Sequence, residues 1–373
     1  MNIDKFGLTV DQTEILYNLE YYKTLNDIRT TKLPINNEGV KRLKQDWLAE
    51  WKENISKGFS SFLQIEGAEL HWYSEQELIQ KIEENEPHNT WFRLILLEAM
   101  IFAPYYPLGF EEDKKGNDIP SKKYKDLKNI INGYRKGNGD DYIDSFFSGS
   151  YYSLGYIKRL RKCYDKILRE LNEVLKTVIT SLSITTIIAI VTIATAGAFA
   201  PAIAVALVGS NFAGLSGAAL TSACLAYLGS GAIAIGGAGM AGGTIAIVGG
   251  GAVLGFGVGA GIGGIVGAVG LLGKQNTILQ SAKLLVSVKE IFLNDEHDTV
   301  YSNSVYEKYV KNIMDIEKCI VELRLQADVA NGKIKKELQG KIKKAKGSVD
   351  AMKIARINLN RFMSSFKEGL AQE

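Results

Sequence analysis

Residues able to do chemistry are present in this chain, but their spacing rules most of it out. Gly237-Ala238-Gly239-Met240-Ala241-Gly242 has the spacing of a dinucleotide-binding turn and follows the strand-like Ala232-Ile233-Ala234-Ile235. Such a turn seats a pyrophosphate on a helix N-terminus and needs an acid about 20 positions on for the ribose. No acidic residue occurs between that turn and Gly273, and Gly259-Ala260-Gly261-Ile262-Gly263-Gly264 repeats the spacing, as chance allows in glycine-rich sequence. Gly273-Lys274 ends like a phosphate loop, but Ala268 stands where the first glycine is needed and Gln275 where Ser or Thr belongs. His71, His88 and His297 fall in no metal-ligand spacing, and Gly214-Leu215-Ser216-Gly217 lacks the last glycine of a nucleophile elbow. Cys163, Cys224 and Cys319 are odd in number and form no C-x-x-C pair, so no disulfide framework is expected and a reducing compartment is. These patterns give no case for an enzyme, a cofactor or a metal.

Two basic clusters remain. Lys158, Arg159, Arg161 and Lys162 follow the aromatic residues Phe146, Phe147, Tyr151, Tyr152 and Tyr156; Lys333, Lys335, Lys336, Lys341, Lys343, Lys344 and Lys346 form the second. Aromatic faces stack on bases and cations neutralise phosphates, so the first cluster is a candidate for an anionic ligand such as an oligonucleotide. Taken alone, its place beside the uncharged segment favours contact with anionic lipid headgroups. The second cluster also suits the solvated face of a helix.

The elements that must carry these residues are organised around one segment. Thr177 to Gly273 is a run of 97 residues without Asp, Glu, Lys, Arg or His, although the chain carries 44 basic and 41 acidic residues elsewhere. A charge at the centre of a bilayer costs about 2.5–3.5 kcal/mol on insertion scales, and lipid therefore imposes such a run where water does not. At about 20 residues per crossing the segment accommodates up to four passes, with cores at 184–200, 202–227, 232–248 and 252–272. Basic residues precede it, from Lys158 to Lys176, and follow it at Lys274, Lys283 and Lys289. Both flanks then face the cytoplasm, which requires two or four crossings. The start of the chain, Met1-Asn2-Ile3-Asp4-Lys5, does not have the pattern of a signal peptide.

Gly251, Gly255, Gly259, Gly263 and Gly267 recur every four residues. On a helix they share one groove, where backbones approach closely and van der Waals packing drives association in lipid. Copies arranged around an axis would form a ring able to enclose a pore; packing within a single chain is the simpler use of the same groove. Gly255 to Gly263 also alternates as a strand would, with glycine weakening that reading.

The expected fold class is mainly α. Residues 1–150 read as a helical cytosolic sensor domain, with Val40, Leu43, Trp47 and Trp51 on one face, a capping box at Ser74–Glu77 and a buried helix at Trp91–Leu97. The polar, glycine-rich stretch from Gly109 to Asp144 reads as loop with at most short elements. Residues 151–176 read as a basic amphipathic connecting helix that runs on into the uncharged segment 177–273. Residues 274–373 read as a C-terminal helical region. Ile313, Ile316, Ile320, Leu323 and Ala327 make one stripe and Ile334, Leu338, Ile342, Ala345, Val349, Met352, Leu359 and Phe362 another, with Asn331-Gly332 as the turn of a hairpin or coiled coil.

This order of parts, with the Gly/Ala-rich segment Gly229–Gly273, resembles the membrane effectors of bacterial anti-phage defence systems, closest to the ion-channel effector of the Hailong system. The resemblance implies a homo-oligomeric ion channel of the bacterial inner membrane with cytoplasmic N- and C-terminal regions. It further implies control by short DNA oligomers made by a partner nucleotidyltransferase. The rival expectations are a membrane-anchored helical scaffold and a pore-forming toxin delivered to other cells.

Overall fold

The computed structural model describes residues 8–63, 69–108, 110–112, 118–129, 133–147, 150–175 and 274–370. The chain is mainly α, in agreement with the sequence pattern. Its helices are α1 (Val10–Thr30), α2 (Asn37–Leu63), α3 (Glu75–Glu84), α4 (Thr90–Ile101), α5 (Lys136–Phe147), α6 (Tyr156–Val174), α7 (Lys274–Val286), α8 (Thr299–Val329) and α9 (Gly332–Leu370). A π-helical stretch, Ser287–Asp295, continues α7 without a break. Between α4 and α5 a small antiparallel ribbon pairs β1 (Phe110–Glu112) with β2 (Asp118–Pro120), in the register Phe110↔Pro120 and Glu112↔Asp118. Among the described residues no helix is long and apolar enough to cross a membrane. The proposed crossings and all five glycines from Gly251 to Gly267 lie outside the described residues.

Local rules explain the helix starts. Thr9 and Gln12 form a capping box at α1, and Ser74 and Glu77 form the expected one at α3, so orphan N–H groups of each first turn are satisfied by side chains. Trp47 and Trp51 do lie on the buried face of α2. They stack with ring centroids 6.0 Å apart; the Trp47 indole donates to the Tyr106 carbonyl at 2.7 Å and the Trp51 indole to the Tyr106 hydroxyl at 2.8 Å. Both are fully buried.

The stretch expected to be loop up to Asp144 holds α5 instead. Its glycines are poor helix formers, and tertiary demands outweigh that propensity. At Gly139 the backbone passes so close to the Tyr134 hydroxyl and the Lys23 side chain that a Cβ would overlap both. Asp144 accepts from the Gly155 and Ile157 amides, at 2.8 and 3.3 Å, and so caps α6, which has no side-chain cap at Gly155 itself.

The C-terminal hairpin forms where the two stripes predict it. α8 and α9 pack together, joined by Ala330-Asn331, with Gly332 in the left-handed region at φ +58°. Ile313, Ile316, Ile320 and Ala327 are buried against Ile342, Ala345, Val349 and Met352, whereas Ile334 is exposed. α7 packs on α6 and α9, so the helix after the uncharged segment joins the same core as the N-terminal helices.

Trp51→Ala should lower stability by about 3–5 kcal/mol, since it deletes a fully buried indole and leaves the Tyr106 hydroxyl without its donor. Chemical denaturation of the detergent-solubilised chain followed by circular dichroism measures this, and a loss below about 1 kcal/mol contradicts the packing described.

Candidate functional site

The densest polar chemistry lies at the end of α4. That helix finishes inside the protein and has no basic residue in its own last turn. Two cations from other helices take its terminal carbonyls. The Lys23 ammonium on α1, fully buried, donates to the carbonyls of Ala99, Met100 (3.0 Å) and Phe102 (2.8 Å). Arg161 on α6 donates to the Met100 carbonyl and grips Asp140 on α5 with two bonds of 2.7 and 3.0 Å. Cations are favoured here because unpaired carbonyls and the helix dipole make a C-terminus negative. Burial nevertheless pulls the Lys23 ammonium down to about 7, against the upward influence of Asp140.

One turn back along α4, Glu98 meets Lys283 of α7 at 2.5 Å, with the two side chains 2% and 3% exposed. Burial pushes the Glu98 carboxyl up and the Lys283 ammonium down, while each holds the other charged across the contact. Glu20 on α1 is also buried, and its Oε2 has no hydrogen-bond partner. Burial and then the neighbouring Glu98 charge raise its carboxyl well above the ordinary range, outweighing Lys23 and Lys283. Burial therefore favours the protonated form of Glu20.

The ion pair is the first rung of a ladder that clamps α7 and its π-helical continuation. Arg159 of α6 reaches Asp295 at 2.5 Å and Glu290 at 3.3 Å. The Tyr156 hydroxyl donates to Asp295 at 2.8 Å, and Arg93 of α4 pairs with Glu296 and approaches Asp295 at 3.8 Å. π-helical geometry is uncommon and recurs at functional sites. Here it lies between the first rung and the last, with Asp298 N–H bonding back to the Phe292 carbonyl at 2.8 Å.

Each described residue of the candidate anion site has a definite place. Tyr151 packs its ring against Phe92 and bonds Glu83 through its hydroxyl; Tyr152 lies 5.0 Å from the Tyr156 ring and donates to the Ile143 carbonyl at 3.3 Å. Lys158 pairs with Asp141 at 3.0 Å on the surface, and Lys162 is exposed. Arg159 is about half exposed, stacks over the Tyr156 ring at 4.8 Å and belongs to the ladder, while Arg161 is turned inward to Asp140. The four cations therefore do not form one free patch. Lys283, read from the sequence as a flanking charge, is a core residue. His71 is on the surface, paired with Glu14 at 2.9 Å. Cys163 is buried, and burial pushes its thiol up to about 12, which leaves no thiolate for nucleophilic chemistry at neutral pH. Among the described residues no three His, Cys, Asp or Glu side chains converge as metal ligands do.

Glu98 and Lys283 were not anticipated as partners. Their signal is local: each is the lone charge of an apolar run, Leu94–Met100 and Ala282–Val286. Such a charge is either a site or half of a buried pair, and one sequence does not name the other half. Comparison with protein-family models, with curated proteins and with solved structures gave no significant match.

Two outcomes follow. Lys283→Met should cost about 3–5 kcal/mol by stranding Glu98, while adding Glu98→Leu should recover most of that loss; thermal or denaturant unfolding of the three variants measures it, and additive losses would refute the pairing. Glu20 keeps its proton at pH values where an unfolded glutamate has lost it. Its contribution is therefore complete below the ordinary carboxylate range and declines as pH rises from there through the elevated Glu20 value. Glu20→Gln should remove that decline and stabilise the protein more at neutral than at acidic pH, as read from unfolding midpoints across a pH series.

Proposed function

We propose that this chain is an oligomeric pore or ion-channel effector of the bacterial inner membrane, gated by a cytosolic oligonucleotide in anti-phage defence. The observation that carries this reading is the uncharged run of 97 residues, set between two helices that are held together where it leaves and returns. Lys274 donates to the Leu175 carbonyl at 2.6 Å, so the two flanks form one junction. In this reading the segment makes an even number of crossings, and the groove of Gly251, Gly255, Gly259, Gly263 and Gly267 packs copies around the conduction path.

The ladder supports a route from ligand to pore. Arg159 is the candidate ligand residue that also holds the π-helical stretch. A polyanion that takes the Arg159 guanidinium competes with Asp295 at Nη2 and with Glu290 at Nε for its N–H donors. Losing these rungs frees the continuation of α7, the helix that follows the uncharged segment. Coupling of this kind is reciprocal, so whatever moves the junction also changes affinity for the anion.

Conductance of the purified chain in a planar bilayer, with and without a short DNA oligomer, tests the reading. Discrete currents that the oligomer alters are expected. Gly259→Leu should abolish them or lock the pore, and Arg159→Ala should shift the oligomer dependence while leaving unitary conductance unchanged. Silence with insertion confirmed would instead favour a membrane-anchored scaffold.

A further inference from the structure

The C-terminal hairpin extends past the junction on the side where the uncharged segment leaves. α9 passes the first residue of α7 at Gly347, where an added Cβ would stand 3.2 Å from the Lys274 Cβ. From there α9 runs beside α7 and its π-helical continuation in the same direction: Lys289 sits over the Phe362 ring at 5.3 Å, and His297, just past the continuation, meets the Phe366 ring at 5.6 Å. Residues 332–346 of α9 therefore project the other way, beyond Lys274 and Leu175. At 1.5 Å per residue the projection is about 22 Å long, and the C-terminal half of α8 is folded back along it.

This projection brings exposed apolar residues and lysines together. Ile316, Ile320, Ala327, Ile342 and Ala345 close its inner seam. On the outside Val321, Leu325, Val329 and Ile334 are 53%, 64%, 84% and 62% exposed, and the last two flank the turn at the tip. Lys333, Lys335, Lys336, Lys343, Lys344 and Lys346 are exposed around them. Between Leu325 and Lys346 the sequence has seven lysines and two acids, Asp328 and Glu337. Apolar side chains at a tip ringed by lysines match a bilayer interface, where the tip enters the acyl boundary and lysine stems reach back to anionic headgroups. A second copy of the same tip would bring like charges together.

We propose that the tip of the α8–α9 hairpin, Leu325–Lys346, is a second membrane contact that docks on an anionic bilayer surface. This rests on the reading that residues 177–273 enter the bilayer, since the shared junction then places the tip against the leaflet at which that segment enters.

The test uses the full chain carrying Val329→Trp, reconstituted into phosphatidylcholine vesicles with and without phosphatidylglycerol. The introduced indole should shift to shorter wavelength and be quenched by lipids brominated on their acyl chains, beyond wild type. Both effects should be weaker without phosphatidylglycerol and lost when Lys333, Lys335 and Lys336 are changed to Gln. A chain that resists carbonate extraction while the new indole stays unquenched overturns the proposal and leaves the pore reading intact. A quenched tip on a chain that carbonate strips away supports the tip contact and overturns the insertion of residues 177–273. A blue-shifted indole before any vesicle is added, untouched by brominated lipid, assigns the tip to a contact between copies and overturns the proposal.

Discussion

Helix α4 ends where its last carbonyls cannot reach water. Each must find a donor inside the protein, and an unmet one costs roughly 1–3 kcal/mol. Lys23 from α1 and Arg161 from α6 supply the donors, and Arg161 needs Asp140 from α5 to be tolerated there. One helix end thus fixes the relative positions of three others. The Glu98–Lys283 pair extends the same logic to α7, so helices from both sides of the uncharged segment are committed to one core.

A core organised in this way favours uniqueness over strength. Buried ion pairs add little net stability, because desolvation offsets most of the attraction, but breaking one is expensive. Slipping α7 by a turn would strand Lys283, Glu290 and Asp295 together. Its register is therefore discrete, which is what a two-state element requires. The half-exposed Arg159 is the point at which that register can be reached from solvent.

Much of the architecture was legible because it rests on local or periodic rules. The capping box at Ser74, the buried run after Trp91, the tryptophan face of α2 and the Gly332 turn each follow from a few neighbouring residues. α5 was not legible, because Gly137 and Gly139 speak against a helix, and the need for a glycine at 139 shows only once the fold brings Lys23, distant in sequence, and the Tyr134 hydroxyl against it. The candidate site was half legible. Basic residues could be counted on α6, but their partners Asp140, Glu290 and Asp295 lie 21 or more positions away, and spacing along one helix does not reveal them. The same limit hid Lys283, whose charge looked like a membrane flank until a carboxylate from α4 was placed beside it.

The contact between Leu175 and Lys274 also has a topological meaning. Seen from the folded body, the described residues on either side of the long uncharged stretch meet. Closing a flexible loop grows more costly only with the logarithm of its length, so replacing about a hundred residues by a short turn removes only about 2–3 kcal/mol of closure entropy. The helices on either side therefore need no help from the stretch between them to find each other.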